Sequence, residues 1–377
     1  MQGVPMQGGP MQAAPSMEPM GDPVGIGACF QSISAWEAFG DFTYLRPRGA
    51  NVTYGAVFNT TPSIMVAGVP TALTSSNQLE TSPTSGIPVA QVASPGTASI
   101  DYHPGFRLGF AKALDECNAV VATFSHYEGE DHDSISATAP ALIRSLVSNP
   151  ATWGYFGSNT PIPYNSYGNE LSDWVSANSD YQMIYSLADV DFRWTFHNQC
   201  DTRLSLLAGL RYASLDQRLD VVGNTAGTTA ANPSGIIIGP DVDVVHTQVN
   251  FEGGGLRIGF EGQRRTPYGI VFYGRTAASV VAGTFRCNHT ETSGLNGTWV
   301  DTTSSIDRVV PIIDAELGAG LSFWNDKLRL TAGYSFSGWF NTVLAGEYIS
   351  ATQSNDYTGM HNTLTFDGFV SRVELAF

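Results

Sequence analysis

Eight arginines and six carboxylates stand out because each alternates with apolar neighbours. The arginines of interest are Arg107, Arg193, Arg203, Arg211, Arg257, Arg275, Arg329 and Arg372. The acids are Asp189, Asp191, Glu261, Asp314, Glu316 and Glu374, and Glu252 falls in the same set by simple alternation. A guanidinium presents a planar fork that matches a carboxylate bidentately, so such a set can build a ladder of ion pairs. Two kinds of chemistry follow. The ladder can line a water-filled pore and tune which solutes pass. It can equally be an ion-paired filling that stiffens a narrow closed sheet, since small barrels are filled by side chains.

Other chemistries find little support. The chain has no Gly-x-Ser-x-Gly elbow, no His-Glu-x-x-His and no phosphate loop. His246, His289 and His361 are scattered, so no catalytic residue is nominated and no enzyme is expected. An acidic knot, Glu128, Glu130, Asp131 and Asp133, lacks EF-hand spacing and reads as a solvated loop, so neither metal nor cofactor is expected. The cysteines are Cys29, Cys117, Cys200 and Cys287, with no CxxC. Cys117 and Cys200 each fall at a predicted tight turn, and whether they pair is left open. A formal net charge of −16 argues against a nucleic-acid partner.

The elements that position the charges are strands. Charged residues are 14% of the 377-residue chain, against roughly 25% in soluble domains. Hydrophobic residues reach 42%, yet no run approaches the ~18 apolar residues of a membrane helix. The apolar residues alternate instead. From Ile313 to Phe323, Ile313, Ala315, Leu317, Ala319, Leu321 and Phe323 share one face. Asn325-Asp326 breaks the pattern, and Leu328, Leu330, Ala332, Tyr334 and Phe336 resume it, as in a hairpin with one greasy face.

Similar hairpins are expected around residues 115, 199 and 264. With a first strand near Trp36–Arg46 and a last from Leu364 to Phe377, the count is at least ten, and ten to twelve strands are expected. Asn51–Ser99, with room for a short hairpin in it, His126–Asp180, Gly223–Pro240, Arg286–Ile306 and Asn341–His361 read as loops. Gly253-Gly254-Gly255 separates odd-numbered apolar residues from even-numbered ones, which predicts a β-bulge. Short turns on one side and long loops on the other describe a closed antiparallel transmembrane β-barrel, whose closure leaves no backbone edge in lipid.

Aromatic residues fall in two groups. Phe110, Trp194, Phe196, Phe260, Tyr268, Phe323, Trp324 and Phe377 lie near the tight turns. Tyr44, Phe124, Tyr127, Tyr185, Tyr212, Phe336, Trp339 and Phe340 lie near the long loops, as two interfacial girdles would. Residues 1–30 form a Met/Gln/Gly/Pro-rich tract expected to be disordered, and 31–377 form the barrel. The tract does not read as a signal peptide, so for an exported protein a removed or truncated leader is expected.

Three motifs carry a family resemblance: Phe39-Gly40-Asp41-Phe42-Thr43-Tyr44-Leu45-Arg46-Pro47, Tyr102-His103-Pro104-Gly105-Phe106-Arg107-Leu108-Gly109-Phe110, and Phe366-Asp367-Gly368-Phe369. Over about residues 36 to 377 the chain resembles the Legionella major-outer-membrane-protein-like family of pore-forming barrels. That resemblance implies an outer-membrane barrel with pore activity and supplies no catalytic residues.

The function expected is a porin-like channel for passive diffusion of small hydrophilic solutes and ions. The alternative is a structural or adhesive barrel with a filled lumen and loops as its binding face. Acidic loops would favour cations at low salt. Outer-membrane lipid and, through the terminal Phe377, the outer-membrane insertion machinery are the expected partners, with a homo-oligomer left open.

Overall fold

The computed structural model describes residues 35–59, 64–66, 69–71, 93–138, 141–148, 173–199, 201–225, 241–294, 297–324 and 326–377. The tract at 1–30 and Cys29 and Cys200 lie outside them, and with Cys200 the question of its pairing to Cys117. The strands are β1 (Trp36–Arg48), β2 (Val52–Asn59), β3 (Ile64–Val66), β4 (Val69–Thr71), β5 (Gly96–Ala98), β6 (His103–Ala113), β7 (Asn118–Ser136) and β8 (Ala141–Ser145). They continue as β9 (Asp173–Trp174), β10 (Ser176–Asn198), β11 (Thr202–Asn224), β12 (Val242–Arg265), β13 (Ile270–Ser293), β14 (Gly297–Phe323), β15 (Leu328–Thr342) and β16 (Asn362–Ala376). One helix, α1, spans Ala345–Ser354.

Ten of these strands close a barrel in the order β1-β16-β15-β14-β13-β12-β11-β10-β7-β6. All neighbours are antiparallel. The first and last barrel strands meet at the tight-turn end, where the Trp36 N–H donates to the Phe377 carbonyl at 3.0 Å and the Phe377 N–H donates to the Trp36 carbonyl at 2.9 Å. A second sheet, β5-β2-β8-β9, sits at the opposite end.

A band of outward side chains is exposed and apolar, including Phe42, Leu108, Val190, Phe192, Leu210, Ile258, Phe272 and Val373. Leu256 and Leu317 are each 71% exposed, which only a hydrocarbon surrounding makes favourable. Above this band the faces exchange polarity. On β12, Val245, Val249 and Phe251 point inward and are buried, while Leu256, Ile258 and Phe260 point outward and are exposed. The register runs unbroken from Thr202↔Arg264 to Asn224↔Val242, so no bulge interrupts Gly253–Gly255. What changes there is the medium. Within lipid the outside must be apolar; beyond it the outside meets water, and the inside becomes the only place to bury apolar groups. Glu252 is accordingly outside the lumen, half-exposed and 3.2 Å from Arg286.

The same exchange turns expected loops into strand. The stretches inside His126–Asp180 and Arg286–Ile306 extend β7, β10, β13 and β14 well past the lipid band. The acidic knot alternates along β7: Asp131 and Asp133 accept the Ser99 and Thr97 N–H groups at 2.8 and 3.1 Å, while Glu128 on the other face pairs with Gln182. Three of the upper girdle residues, Tyr127, Tyr185 and Trp339, are buried inside the barrel, whereas Tyr44, Phe124 and Tyr212 are exposed as a girdle requires. The Asn341–His361 connection holds α1. Its Glu347 side chain accepts the Leu344 N–H at 3.3 Å, and Asn355 closes it in the left-handed region at φ 52°.

Placing a charge on the lipid band separates the two media. Leu317→Arg should lower refolding stability in lipid vesicles by about 2–4 kcal/mol. Thr303→Arg, also outward-facing but on the extension of β14, should stay within about 0.5 kcal/mol. Denaturant titration of both variants in vesicles checks this.

Candidate functional site

Fourteen of the fifteen charged positions picked out by alternation, all but Glu252, line one interior cleft between the tight turns and the upper core. Two carboxylates join them. Glu37 lies in the cleft wall, and Asp41 sits directly beneath it with no side-chain exposure. Both come from β1, and their partners Arg193 and Arg372 lie far along the chain. Eight arginines therefore face eight carboxylates, and the lumen is neutral.

The pairs run across strands. Arg372 grips Asp41 bidentately, Nε to Oδ1 at 2.6 Å and Nη2 to Oδ2 at 2.8 Å. Arg107 shares Asp41 at 3.2 Å and reaches Glu316 at 2.9 Å. Arg275 takes the other Glu316 oxygen at 3.3 Å and lies 3.6 Å from Glu261. On the opposite wall Arg211 is bidentate to Asp189 at 2.7 and 2.8 Å and bonds Asp314 at 2.7 Å. Arg257 pairs with Asp191. Nearer the tight turns Arg193 meets Glu37 at 2.7 Å, Arg329 meets Glu374 and Gln263 at 3.0 Å, and Arg203 contacts Asn198 at 3.5 Å. Burying charges is unfavourable unless they are paired and hydrogen-bonded. The network pairs its carboxylates across strands while leaving the Nε groups of Arg193, Arg257, Arg275 and Arg329 and Oδ1 of Asp191 without a hydrogen bond among the described residues. An aromatic ring helps orient it: the Arg372 guanidinium lies 3.9 Å above the Phe39 ring. Phe39 in turn lies flat on Gly109, where a Cβ would come within 2.0 Å of the ring.

Above the ladder the lumen turns apolar. Tyr127, Tyr181, Met183, Phe251, Phe285, Ile312, Trp339, Leu364 and Phe366 are all fully or almost fully buried and pack as one core. Tyr127 stacks on Tyr185 and both meet Phe366 edge-to-face, with ring centroids 4.7–5.5 Å apart. Tyr348 and Ile349 of α1 join the same core, so the helix covers it. Gln217, wholly buried, clamps the helix entry: its Nε2 donates to the Val343 carbonyl at 3.0 Å and its Oε1 accepts the Ala345 N–H at 3.3 Å.

The comparisons with known proteins follow from this architecture. Residues 31–376 match the family described as the Legionella pneumophila major outer membrane protein precursor. The chain belongs to the Legionella major outer membrane protein family. Its place is therefore the outer membrane. Among solved structures it is similar to the outer membrane protease OmpT from Escherichia coli, at 10% identity and TM-score 0.45, covering 91% of this chain and 96% of that one. It is also similar to the Pseudomonas putida toluene transporter TodX, at 10% identity and TM-score 0.26, covering 91% and 90%. A third is the transport unit of the Escherichia coli autotransporter AIDA-I, at 8% identity and TM-score 0.23, covering 91% and 90%. At such scores these likenesses carry no argument about activity. No curated protein matches the chain.

Two polar groups of this Legionella-family barrel escaped the sequence reading. In the first, Thr247 Oγ1 lies 2.8 Å from His289 Nδ1, and His289 Nε2 lies 2.9 Å from Glu291 Oε1. Such a hydroxyl–imidazole–carboxylate row activates a nucleophile only where substrate reaches the hydroxyl. Thr247 and His289 are both completely buried, so the row satisfies polar groups within the wall. In the second, Asp243 accepts the Trp174 indole N–H at 3.0 Å. The buried Trp174 ring lies on Gly223, where any Cβ would meet it at 2.1 Å. The Thr247–His289 and Trp174–Asp243 contacts have no periodic signal, because they join side chains 42 and 69 residues apart in sequence. Among the described residues, no group of three or more His, Cys, Asp or Glu is arranged to hold a metal ion.

Removing one partner from the ladder should be severe. Asp41→Ala leaves Arg372 buried without its bidentate acceptor and should cost about 3–5 kcal/mol. The double variant Asp41→Leu/Arg372→Met should lose less than Asp41→Ala alone, as read from denaturant unfolding in detergent. The upper wall should also respond to pH. Burial pushes the Asp243 carboxyl up to about 7, against the Trp174 hydrogen bond and with the charges of Asp241 and Glu291 adding to the rise. The folded form therefore holds a proton that the unfolded form has released, from the ordinary carboxylate range up to about 7. Stability is then highest below that range, falls as pH rises through it, and levels off above. Hydrogen-exchange protection factors of the strands around Trp174, with the intrinsic pH dependence of amide exchange divided out, should be lower at pH 8 than at pH 5, and Asp243→Asn should flatten the difference.

Proposed function

We propose that the protein is a sealed outer-membrane barrel with a structural or adhesive role, working through its tall polar wall and surface loops rather than through an open lumen. One observation carries the reading. Among the described residues the lumen is crossed first by a ladder whose charges are engaged with one another, and then by a buried aromatic and aliphatic layer capped by α1. Side-chain filling is ordinary for narrow barrels, whereas open aqueous channels are seen in much wider ones. The outward face above the lipid band is polar and broad, spanning β7 and β10–β14, and suits contact with other molecules. Phe369, Val373, Leu375 and Phe377 form an exposed apolar row along the terminal strand, a surface suited to the insertion machinery. No catalytic role is proposed for any residue.

Passive diffusion is the second reading. It is favoured by the cleft beneath the apolar layer, a cavity of about 130 Å³ lined by both signs of charge. For conduction α1 and the layer under it would have to move.

Planar bilayers separate the two. The sealed reading expects purified, refolded protein to give no steady current, and expects stepwise currents only from a variant lacking residues 345–354. Stepwise conductance by the unaltered protein at low voltage would instead make it a channel. The acidic outer wall then predicts a cation preference that raised salt weakens.

A further inference from the structure

The barrel wall is uneven in height. β1, β6, β15 and β16 are 11–15 residues long, while β10–β14 run 23–27. The short strands end just where their apolar outer face ends, so their last outward residues stand at headgroup level. On β1 the outward row reads Phe42 and Tyr44, 51% and 44% exposed, then Arg46 and Arg48. The two arginine side chains are 32% and 52% exposed. Beside them Tyr334 and Phe369, 53% and 47% exposed, continue the apolar row on β15 and β16.

We propose that Arg46 and Arg48 hold the phosphate of an anionic membrane-lipid headgroup. The Arg48 fork is held in place from behind. Asp367, with a side chain only 9% exposed, accepts from Arg48 Nε and Nη2 and also from the Tyr334 hydroxyl. Tyr102 stacks on Tyr44 at 5.6 Å and places its hydroxyl 3.5 Å from Arg48 Nη2. Those contacts use one edge of the guanidinium, and Nη1 has no hydrogen-bond partner among the described residues. Arg46 meets Asp101 at 3.3 Å, and that carboxylate is 78% exposed, so a phosphate can displace it. Arginine stems lie well along lipid while the fork reaches oxyanions bidentately.

The opposite wall is unsuited to the same ligand. Its outward arginines, Arg218 and Arg286, are matched by Asp220 and Glu252, and Glu128 and Asp307 add further negative charge. An anionic lipid therefore meets attraction on the β1 side and repulsion on the β10–β14 side.

Native mass spectrometry tests this on full-length protein refolded into phosphatidylcholine vesicles containing a minority of phosphatidic acid. The unaltered barrel should retain phosphatidic acid in preference to phosphatidylcholine. Retention should fall about tenfold in Arg46→Gln/Arg48→Gln, the size expected for loss of a charge-assisted hydrogen bond. Arg218→Gln should retain as much as the unaltered chain. If the double variant fails to fold, Arg46→Gln alone, whose partner is solvent-exposed, should still lose severalfold. Equal retention of the two lipids, or retention unchanged in the arginine variants, would overturn the proposal. Excess inorganic phosphate should leave the lipid bound; stripping by inorganic phosphate at equal concentration would make the site one for free anions and overturn the lipid assignment.

Discussion

Everything in this molecule follows from a backbone crossing a medium that offers no hydrogen bonds. Each N–H and C=O within hydrocarbon must find a partner in the chain, and a sheet achieves this for every strand only by closing on itself. The pairing of β1 with both β6 and β16 is that closure. Once the sheet is closed, the medium on each side decides which residues stand there. Lipid outside and ion pairs inside give one alternation; water outside and an apolar core inside give its inverse. The same strand, β12, carries both without any change of register.

This explains what was readable in the residues alone. Within the lipid band the alternation is uninterrupted, so the ten strands, the tight turns and fourteen of the sixteen charged lumen positions could be read from it. Above the band the inversion misleads. At Gly253–Gly255 it imitates the phase shift of a bulge, and it placed Glu252 inside and Tyr127, Tyr185 and Trp339 outside. The upper halves of β13 and β14 are rich in Thr, Ser and Asn and so look like loops, although their inward residues Phe285 and Cys287 are core. Glu37 and Asp41 were visible as the polar face of a strand, but their partners Arg193 and Arg372 lie 156 and 331 residues away. The helix α1 has no strong apolar periodicity, and it forms because Gln217 and the core hold it.

The ladder's neutrality has its own physical sense. The chain carries a formal charge of −16, yet the lumen sets eight arginines against eight carboxylates. An apolar filling of the same volume could be as stable. It would also make the two faces of each spanning strand alike, and an inside-out or register-slipped barrel would then compete with the correct one. Charges on every second residue exclude those alternatives, because a slip by one residue would drive arginines into lipid.

The uneven wall has a consequence for assembly. The seam that shuts the ring, β1 against β16, pairs only from Glu37↔Ala376 to Arg48↔Thr365, whereas the β12–β13 ladder runs from Asp243↔Ser293 to Arg265↔Val271. The long β10–β11, β12–β13 and β13–β14 ladders join strands that follow one another through short connections and can zip locally. The one ladder joining the two ends of the sequence, with the greatest loop-closure entropy to overcome, is among the shortest. The last act of ring formation is thereby confined to the bilayer's own thickness, and the tall wall is free to be complete before the ring shuts.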